Sequence, residues 1–155
     1  PLDTFHVPRR LARTVRQGKF EIRVNHDFRA VMEGCAERET TWINEEIIEA
    51  YTALHRQGFA HCVESWRDGR MVGGIYGVAI RGLFAGESMF SRETDASRVA
   101  LVEMIARLRK GGYQLFDVQY TNHHLVQFGV VRVPREEYHA RLARALEVQS
   151  SFPTE

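Results

Sequence analysis

The middle of the chain alternates between apolar and polar positions in a way that predicts a meander of three antiparallel strands. Residues 59–66 and 71–80 are apolar and alternating, and the turn pair Asp68-Gly69 between them is typical of a hairpin. The stretch Leu83–Ser91 follows as a third strand, and Glu87 interrupts its apolar run. Glycines in the second strand indicate a bulge or the close approach of another backbone. These glycines are Gly73, Gly74 and Gly77.

Helical periodicity and capping residues predict helices on both sides of this meander. The residues that favour helix starts are Pro8, Asp27, Asn44, Thr94 or Asp95, Thr121 and Pro134. The glycines that favour helix ends are Gly18, Gly58, Gly111, Gly112 and Gly129. The last helix extends to Leu146, and the tail after Gln149 is expected to fray.

Shorter apolar stretches add outer strands at residues 20–24, 114–119 and 130–133. The order of elements predicts one α/β (α+β) domain over residues 1–155. It resembles the mixed sheet, flanked by helices, of acetyl-CoA-dependent N-acetyltransferases. Those enzymes bind pyrophosphate on a glycine-rich turn after the third meander strand, because the backbone N–H groups of the turn must be accessible to the phosphates. Residues 91–98 contain two acids and no glycine, so acetyl-CoA is not expected as a cofactor.

The composition is that of an ordinary soluble globular domain. With 155 residues and 44% apolar content, the chain is long enough to bury a sizeable core. No apolar run reaches the roughly 18 residues that a membrane span requires, and no signal-peptide pattern opens the chain. Cys35 and Cys62 lack CxxC spacing and are expected to be reduced, which favours a cytoplasmic protein.

Positive charge is concentrated near the N-terminus, although the chain as a whole is balanced at 21 Lys and Arg against 20 Asp and Glu. A basic helix is predicted over about residues 8–17. Its residues Arg9, Arg13 and Arg16 share one face because they are four and three positions apart. Such a face can neutralise several phosphates and indicates contact with a nucleic acid. A merely solvated basic helix is the commoner case for one short cluster.

Three polar side chains are candidates for chemistry. A carboxylate inside a buried strand is unfavourable unless it is paired or hydrogen-bonded, so Glu87 is either capped or salt-bridged for structural reasons, or functional. Asp117 and Gln119 are two positions apart on one predicted strand, so their side chains share a face near its C-terminal end. They are either a functional pair or polar residues that face solvent at a strand end. If that strand lies beside residues 83–91, all three groups meet an apolar patch. The patch consists of Met89, Leu101, Met104 and Leu108.

The chain shows no clear metal or nucleotide motif. His123 and His124 are adjacent rather than one helical turn apart, and no thiolate accompanies them, so a metal site is not predicted. A Gly-x-Ser-x-Gly elbow, a Walker loop and a dinucleotide fingerprint are all missing from the sequence.

Six short motifs, in order along the chain, closely resemble those of leucyl/phenylalanyl-tRNA–protein transferases. They are Thr41-Trp42-Ile43, Glu49-Ala50-Tyr51, Gly58-Phe59-Ala60-His61, Val72-Gly73-Gly74-Ile75-Tyr76-Gly77-Val78, Gly86-Glu87-Ser88-Met89-Phe90-Ser91 and Asp117-Val118-Gln119. The resemblance runs from about His6 to Leu146. It implies transfer of Leu, Phe or Met from an aminoacyl-tRNA to the α-amine of an acceptor protein that begins with Arg or Lys. That transfer marks the acceptor for degradation through the N-degron pathway, without metal or coenzyme.

The resemblance also implies roles for individual residues. Glu87 matches the carboxylate at the base of the active site, and Asp117 matches an acid that polarises the amide of Gln119 so that the amide helps to deprotonate the attacking amine. Residues implied to hold the 3′-terminal adenosine are Trp42 and Tyr51, and Asn122 matches a polar contact to substrate. Residues implied to line the aminoacyl side-chain pocket are Ile75, Met89, Leu101, Met104, Leu108 and Phe116. Residues implied to grip the tRNA acceptor stem are Arg9, Arg13 and Arg16.

The chain differs from the family pattern in three ways. Family members usually begin with a separate small domain that supplies another aromatic residue; we expect it to be absent here and adenosine to be held more weakly or with outside help. Gln17 stands where basic residues are usual, and Ile75 where Met is common, the latter a volume-conserving change. An alternative to an active, monomeric enzyme is therefore a truncated homologue that binds tRNA or N-terminal peptides without efficient transfer.

Overall fold

Five strands form one mixed sheet in the computed structural model, which describes residues 2–37, 41–119 and 123–154. In spatial and chain order they are β1 (Glu21–Val24), β2 (Ala60–Arg67), β3 (Arg70–Ile80), β4 (Leu83–Ser91) and β5 (Leu115–Asp117). Neighbouring strands are antiparallel, except that β4 and β5 are parallel. The predicted α/β class, the hairpin and the bounds of the third meander strand are confirmed.

The helices begin largely where the capping residues predict. Their bounds are α1 (Arg9–Arg16), α2 (Phe28–Cys35), α3 (Glu45–Arg56), α4 (Ala96–Lys110), α5 (His123–Val126) and α6 (Arg135–Leu146). Asp27 caps α2 by accepting from the Ala30 N–H at 3.1 Å, and Asn44 caps α3 by accepting from the Ile47 N–H at 3.0 Å. None of the helices among the described residues has the length and apolarity to cross a bilayer.

Alternation along the central strands separates the core into two clusters. Val63 and Ile75 face the cluster that contains α4, whereas their neighbours Cys62 and Tyr76 face the cluster built on α2 and α3. Because successive side chains of a strand point to opposite faces, one central hairpin supports both layers. The described helices therefore cover the two faces of the sheet.

The glycines of β3 permit the close approaches that their clustering predicts. A Cβ on Gly73 would lie 2.6 Å from the Cβ of Ala96, the first residue of α4, and a Cβ on Gly77 would lie 2.4 Å from the Ala85 carbonyl oxygen. Gly77 also adjoins a register shift between β3 and β4. Gly73 thus lets α4 pack closely on β3, and Gly77 lies at a β-bulge beside the point where β4 separates from β5.

Two local predictions are wrong, and a third, the cap of α4 by Thr94 or Asp95, holds in position but not in its side-chain bond. Residues 130–133 form no strand, because the chain leaves α5 through a Val130 N–H to Leu125 carbonyl bond of 3.4 Å and finds no sheet edge to pair with. The tail does not fray: Phe152 is buried and stacks on His61 with ring centroids 4.2 Å apart. Asp95 precedes α4 but makes no side-chain cap, since its carboxylate instead pairs with Arg98 at 3.3 Å.

Candidate active site

The candidate site lies where β4 and β5 separate. The two strands pair over only three residues, ending with Ala85 opposite Asp117, and β4 then continues without a partner on that side. On its other side, β4 pairs Gly86 with Gly77 and Ser88 with Tyr76, which leaves Glu87 as the extra residue of a β-bulge. A bulge re-aims the side chain it carries. Glu87 therefore sits at the floor of a wedge between two diverging strands.

Glu87 is half-buried and hydrogen-bonded from two sides. The Tyr51 hydroxyl of α3 is bonded to its carboxylate, and Gln119 Nε2 lies 3.4 Å from its Oε2. Burial raises the pKa of Glu87 above its ordinary value, the hydrogen bonds from Gln119 and Tyr51 offset part of this rise, and the nearby charge of Asp117 adds to it. The structure does not pair Glu87 with a cation among the described residues, so the predicted salt bridge is wrong, whereas a Glu87 capped by hydrogen bonds agrees with its contacts to Tyr51 and Gln119.

Asp117 and Gln119 do meet Glu87, but not on a shared strand face. β5 ends at Asp117, and Gln119 adopts a left-handed backbone conformation with φ of 68°. The cause is a local turn in which Asp117 Oδ1 accepts the Gln119 backbone N–H at 2.7 Å. The prediction of one continuous strand over residues 114–119 is therefore wrong at its C-terminal end.

The Gln119 side chain has a defined amide orientation. Its Nε2 donates to the Gly86 carbonyl at 3.3 Å and to Glu87 at 3.4 Å. Both partners are acceptors only, so the amide nitrogen must face them. Oε1 is then left as the acceptor of this amide, and Gln119 is exposed.

Tyr138 of α6 is a polar residue of the site that the sequence did not predict. Its hydroxyl donates to Asp117 Oδ2 at 2.6 Å, and this bond to a carboxylate raises the pKa of Tyr138 to about 12. The sequence places Tyr138 in the terminal helix but contains no signal for this contact, because α6 reaches β5 only through the tertiary fold.

Two neighbouring cavities flank the wedge. The smaller, of about 30 Å³, lies against Glu87 and is lined by Ile75, Met89 and Phe116 among others. The larger, of about 500 Å³, lies on the side of α4 and α6 and is lined by Leu101, Asp117 and Gln119 among others. The residues that both cavities share form the wall between them: Phe116, Val118 and Leu125.

The predicted apolar pocket is therefore only partly assembled. Ile75, Met89 and Phe116 line the small cavity, and Leu101 lines the large one. Met104 and Leu108 are completely buried in the core and are not among the described lining residues of either cavity. Val118 and Leu125 take part instead; neither interrupts its local pattern, which is why the sequence did not single them out.

The predicted adenosine-binding pair is placed beside the wedge. Trp42 is half exposed, with 51% of its surface accessible, and its ring lies 6.3 Å from that of Tyr51 between centroids. Because the Tyr51 hydroxyl contacts Glu87, the two rings lead from the protein surface to the wedge floor. Asn122, the predicted polar contact to substrate, lies outside the described residues.

The basic helix α1 turns its cations outward. Arg9, Arg13 and Arg16 are exposed, and within the described part of the chain none of them has an acidic partner. Leu11 is buried and anchors the helix, and Arg10 lies 3.7 Å from Asp95 at the start of α4. The cationic face is thus presented on the α4 side of the sheet.

Comparison with known proteins identifies the family. The sequence profile described as leucyl/phenylalanyl-tRNA protein transferase matches residues 1–143. The chain belongs to the leucyl/phenylalanyl-tRNA–protein transferase family. Its relative of that name from Herpetosiphon aurantiacus is 53% identical over 153 residues, which cover 98% of this chain and 80% of the relative. The relative from Phenylobacterium zucineum is 54% identical over 156 residues, covering 98% of this chain and 71% of the relative.

Solved structures place this transferase-family chain in a wider fold class. A ribosomal-protein-alanine N-acetyltransferase from Brucella melitensis biovar Abortus 2308 superposes with a TM-score of 0.54 at 10% identity, over 73% of this chain and 92% of that one. An aminoglycoside acetyltransferase from a soil metagenomic sample gives a TM-score of 0.52 at 12% identity, over 74% and 93%. At this identity the likeness concerns the fold alone, and it confirms the acyltransferase-like sheet predicted from the order of elements.

Proposed function

We propose that this chain transfers leucine or phenylalanine, or methionine, from an aminoacyl-tRNA to the α-amine of an acceptor protein that begins with Arg or Lys. The observation that carries the proposal is the meeting of Gln119 Nε2 and Glu87 Oε2 at 3.4 Å on the floor of the wedge. Membership of the transferase family supports the donor and the reaction type. The transferred residue would mark the acceptor for degradation through the N-degron pathway. We further propose that the chain acts as a monomer and that the reaction takes place in the cytoplasm.

The reaction makes modest demands on the protein. The amine nitrogen attacks the carbonyl carbon of the ester, a peptide bond forms, and the ester C–O bond to the ribose breaks. The amine loses one proton and the departing ribose oxygen gains one, so the step is balanced without a cofactor. Because the ester is already activated, holding the amine near its carbonyl supplies much of the acceleration.

The polar groups of the wedge suit that task. Oε1 of Gln119, which has no partner among the described residues, accepts an N–H of the incoming amine, since the amide nitrogen is committed to Gly86 and Glu87. Glu87 attracts the ammonium form and receives its proton, because the raised pKa of this carboxyl narrows the gap to an α-amine with a reference pKa near 8. The resulting neutral amine attacks the ester and loses its next proton, which passes to the leaving ribose oxygen, while the proton held by Glu87 is released to solvent.

The aminoacyl side chain enters between the two cavities. The small cavity of about 30 Å³ is too small for a leucyl or phenylalanyl side chain, since that space is of the order of one or two water molecules. The shared wall of Phe116, Val118 and Leu125 must therefore yield toward the larger cavity. An apolar pocket of this kind discriminates by about 1–3 kcal/mol per methylene.

The deciding experiment measures transfer of labelled Phe or Leu from charged tRNA to two peptides that begin with Arg and Lys. The matched control is the Arg peptide with its α-amine acetylated, which removes the nucleophile and leaves the rest of the peptide unchanged. We expect label in the free-amine peptides only. Absence of transfer at high protein concentration, with charged tRNA still bound, would instead establish the binding-only homologue.

Replacing Arg13 by Ala is expected to weaken tRNA binding and to lower the slope of log affinity against log salt by about one, because one phosphate contact is lost. The measurement is a set of binding titrations at several salt concentrations. Arg144→Ala is the matched control: it removes an exposed arginine from α6, whose end bonds to Gly82 at the start of β4. α1 packs instead at the start of α4, where Arg10 lies 3.7 Å from Asp95. An unchanged slope for Arg13→Ala would reject α1 as a phosphate contact.

A further inference from the structure

Both carboxylate oxygens of Asp117 are engaged by the protein itself. Oδ1 accepts the Gln119 backbone N–H at 2.7 Å, and Oδ2 accepts the Tyr138 hydroxyl at 2.6 Å. These are short, charge-assisted bonds, which fix the rotation of the carboxylate. Asp117 therefore touches the backbone of Gln119, and no bond from Asp117 to the Gln119 side-chain amide is present among the described contacts.

The bond to Gln119 maintains an unfavourable backbone conformation. Gln119 has φ of 68°, a left-handed backbone conformation that residues other than glycine rarely adopt. An aspartate that accepts the N–H two residues later stabilises such a turn. The turn decides where the Gln119 amide points, and it points at Gly86 and Glu87.

Tyr138 holds the other oxygen from a distant part of the chain. It lies 21 residues after Asp117, in the first half of α6. The far end of α6 is bound to the sheet, where the Gly82 N–H donates to the Ala145 carbonyl at 2.9 Å. The helix thus has a fixed end beside the β3–β4 turn and presents the Tyr138 hydroxyl to the end of β5.

We propose that Tyr138 is a positioning residue of the active site: its hydroxyl orients the Asp117 carboxylate, which in turn holds Gln119 in the conformation that directs its amide to the reacting amine. The inference rests on the proposed transfer reaction and deepens it. It gives Asp117 a part in geometry rather than in polarising the Gln119 amide. It also gives the C-terminal helix α6 a role in positioning the residues of the active site.

The test combines two measurements on Tyr138→Phe, which keeps the ring and removes only the hydroxyl. In single-turnover transfer from saturating charged tRNA, we expect the rate constant to fall about tenfold, because small misplacements of reacting groups are costly. The half-saturating concentration of charged tRNA should stay within about twofold. Added to Asp117→Ala, the same substitution should cause no further loss, because the two residues act through one another. Tyr113→Phe, which removes a hydroxyl from a buried tyrosine outside the wedge, serves as the control and should retain the wild-type rate.

The second measurement is independent of activity. Hydrogen exchange of the Gln119 backbone amide should become faster in both Tyr138→Phe and Asp117→Ala, since its acceptor is disordered or lost. A wild-type rate in Tyr138→Phe, a further rate loss in the Asp117→Ala background, or unchanged protection of the Gln119 amide would each overturn the proposal. If the wild-type chain transfers nothing, the proposed function fails, while the exchange measurement still decides whether Tyr138 positions Gln119.

Discussion

Glu87→Gln is expected to slow peptide-bond formation by about 100-fold, the range typical of a lost proton acceptor. The neutral amide keeps the size of the carboxylate and can still contact Tyr51 and Gln119, so the wedge retains its shape. It does not attract an ammonium group or take its proton. Single-turnover transfer should therefore be slow at saturating charged tRNA, whereas affinity for charged tRNA should change little.

The same substitution should leave the protein as stable as the wild type, or more stable, at neutral pH. Burial raises the pKa of Glu87 in the folded state above its unfolded value. A raised carboxyl pKa favours the protonated form, so the contribution of Glu87 to stability is greatest below the unfolded pKa and is lost as pH rises through the folded pKa. At pH 7 the ionised, half-buried carboxylate of the wild type therefore destabilises the folded state, and the neutral glutamine removes this destabilisation. Urea unfolding of both proteins at several pH values checks this.

The pH profile separates the two effects. Wild-type kcat/KM should fall on the acidic side as Glu87 becomes protonated, at a pH above that of an ordinary glutamate. This limb should disappear in Glu87→Gln. Glu33→Gln removes an exposed carboxylate from α2 and should change neither rate nor profile. A transfer rate close to that of the wild type in Glu87→Gln would limit Glu87 to ordering its neighbours.

The elements with strong local signals are the ones that the sequence predicted well. The turn pair Asp68-Gly69 specifies its hairpin through a positive φ at both positions, and the caps Asp27 and Asn44 satisfy helix N–H groups within three residues. These interactions are complete within a short stretch of chain. Their outcome depends little on the rest of the fold.

The sequence predicted which residues form the site better than it predicted how they are arranged. Glu87, Asp117 and Gln119 do converge, because β4 and β5 are neighbours as expected. Alternation predicted one face for Asp117 and Gln119, but the side chain of Asp117 competes for a backbone N–H and ends the strand. Tyr138 and Leu125 join the site through long-range packing, which no local pattern encodes.

Glu64→Ala is expected to lower the free energy of unfolding by about 3–5 kcal/mol, because several buried donors lose their acceptor and each unsatisfied donor costs about 1–3 kcal/mol. Glu64 is completely buried on β2, next to the N-terminus of α2. Its Oε2 accepts the backbone N–H groups of His26 at 2.9 Å and Asp27 at 2.7 Å, and its Oε1 accepts Trp66 Nε1 at 2.8 Å. The Cys62 thiol also donates to Oε2 at 3.3 Å, and the alanine variant leaves all four donors without this acceptor.

Urea denaturation followed by circular dichroism measures this loss as a lower midpoint at constant slope. Glu21→Ala on β1 is the matched control, because its carboxylate forms only a partly exposed pair with Arg23 at 3.1 Å and should contribute less than about 1 kcal/mol. Glu64→Gln retains one acceptor oxygen and should lie between the two. If Glu64→Ala unfolds at the same urea concentration as Glu21→Ala, the carboxylate does not hold α2 to the sheet. Glu64 is not bonded to any described residue of the wedge, so folded Glu64→Ala protein should transfer at the wild-type rate. Glu64 would then contribute to the stability of the sheet and not to the transfer reaction.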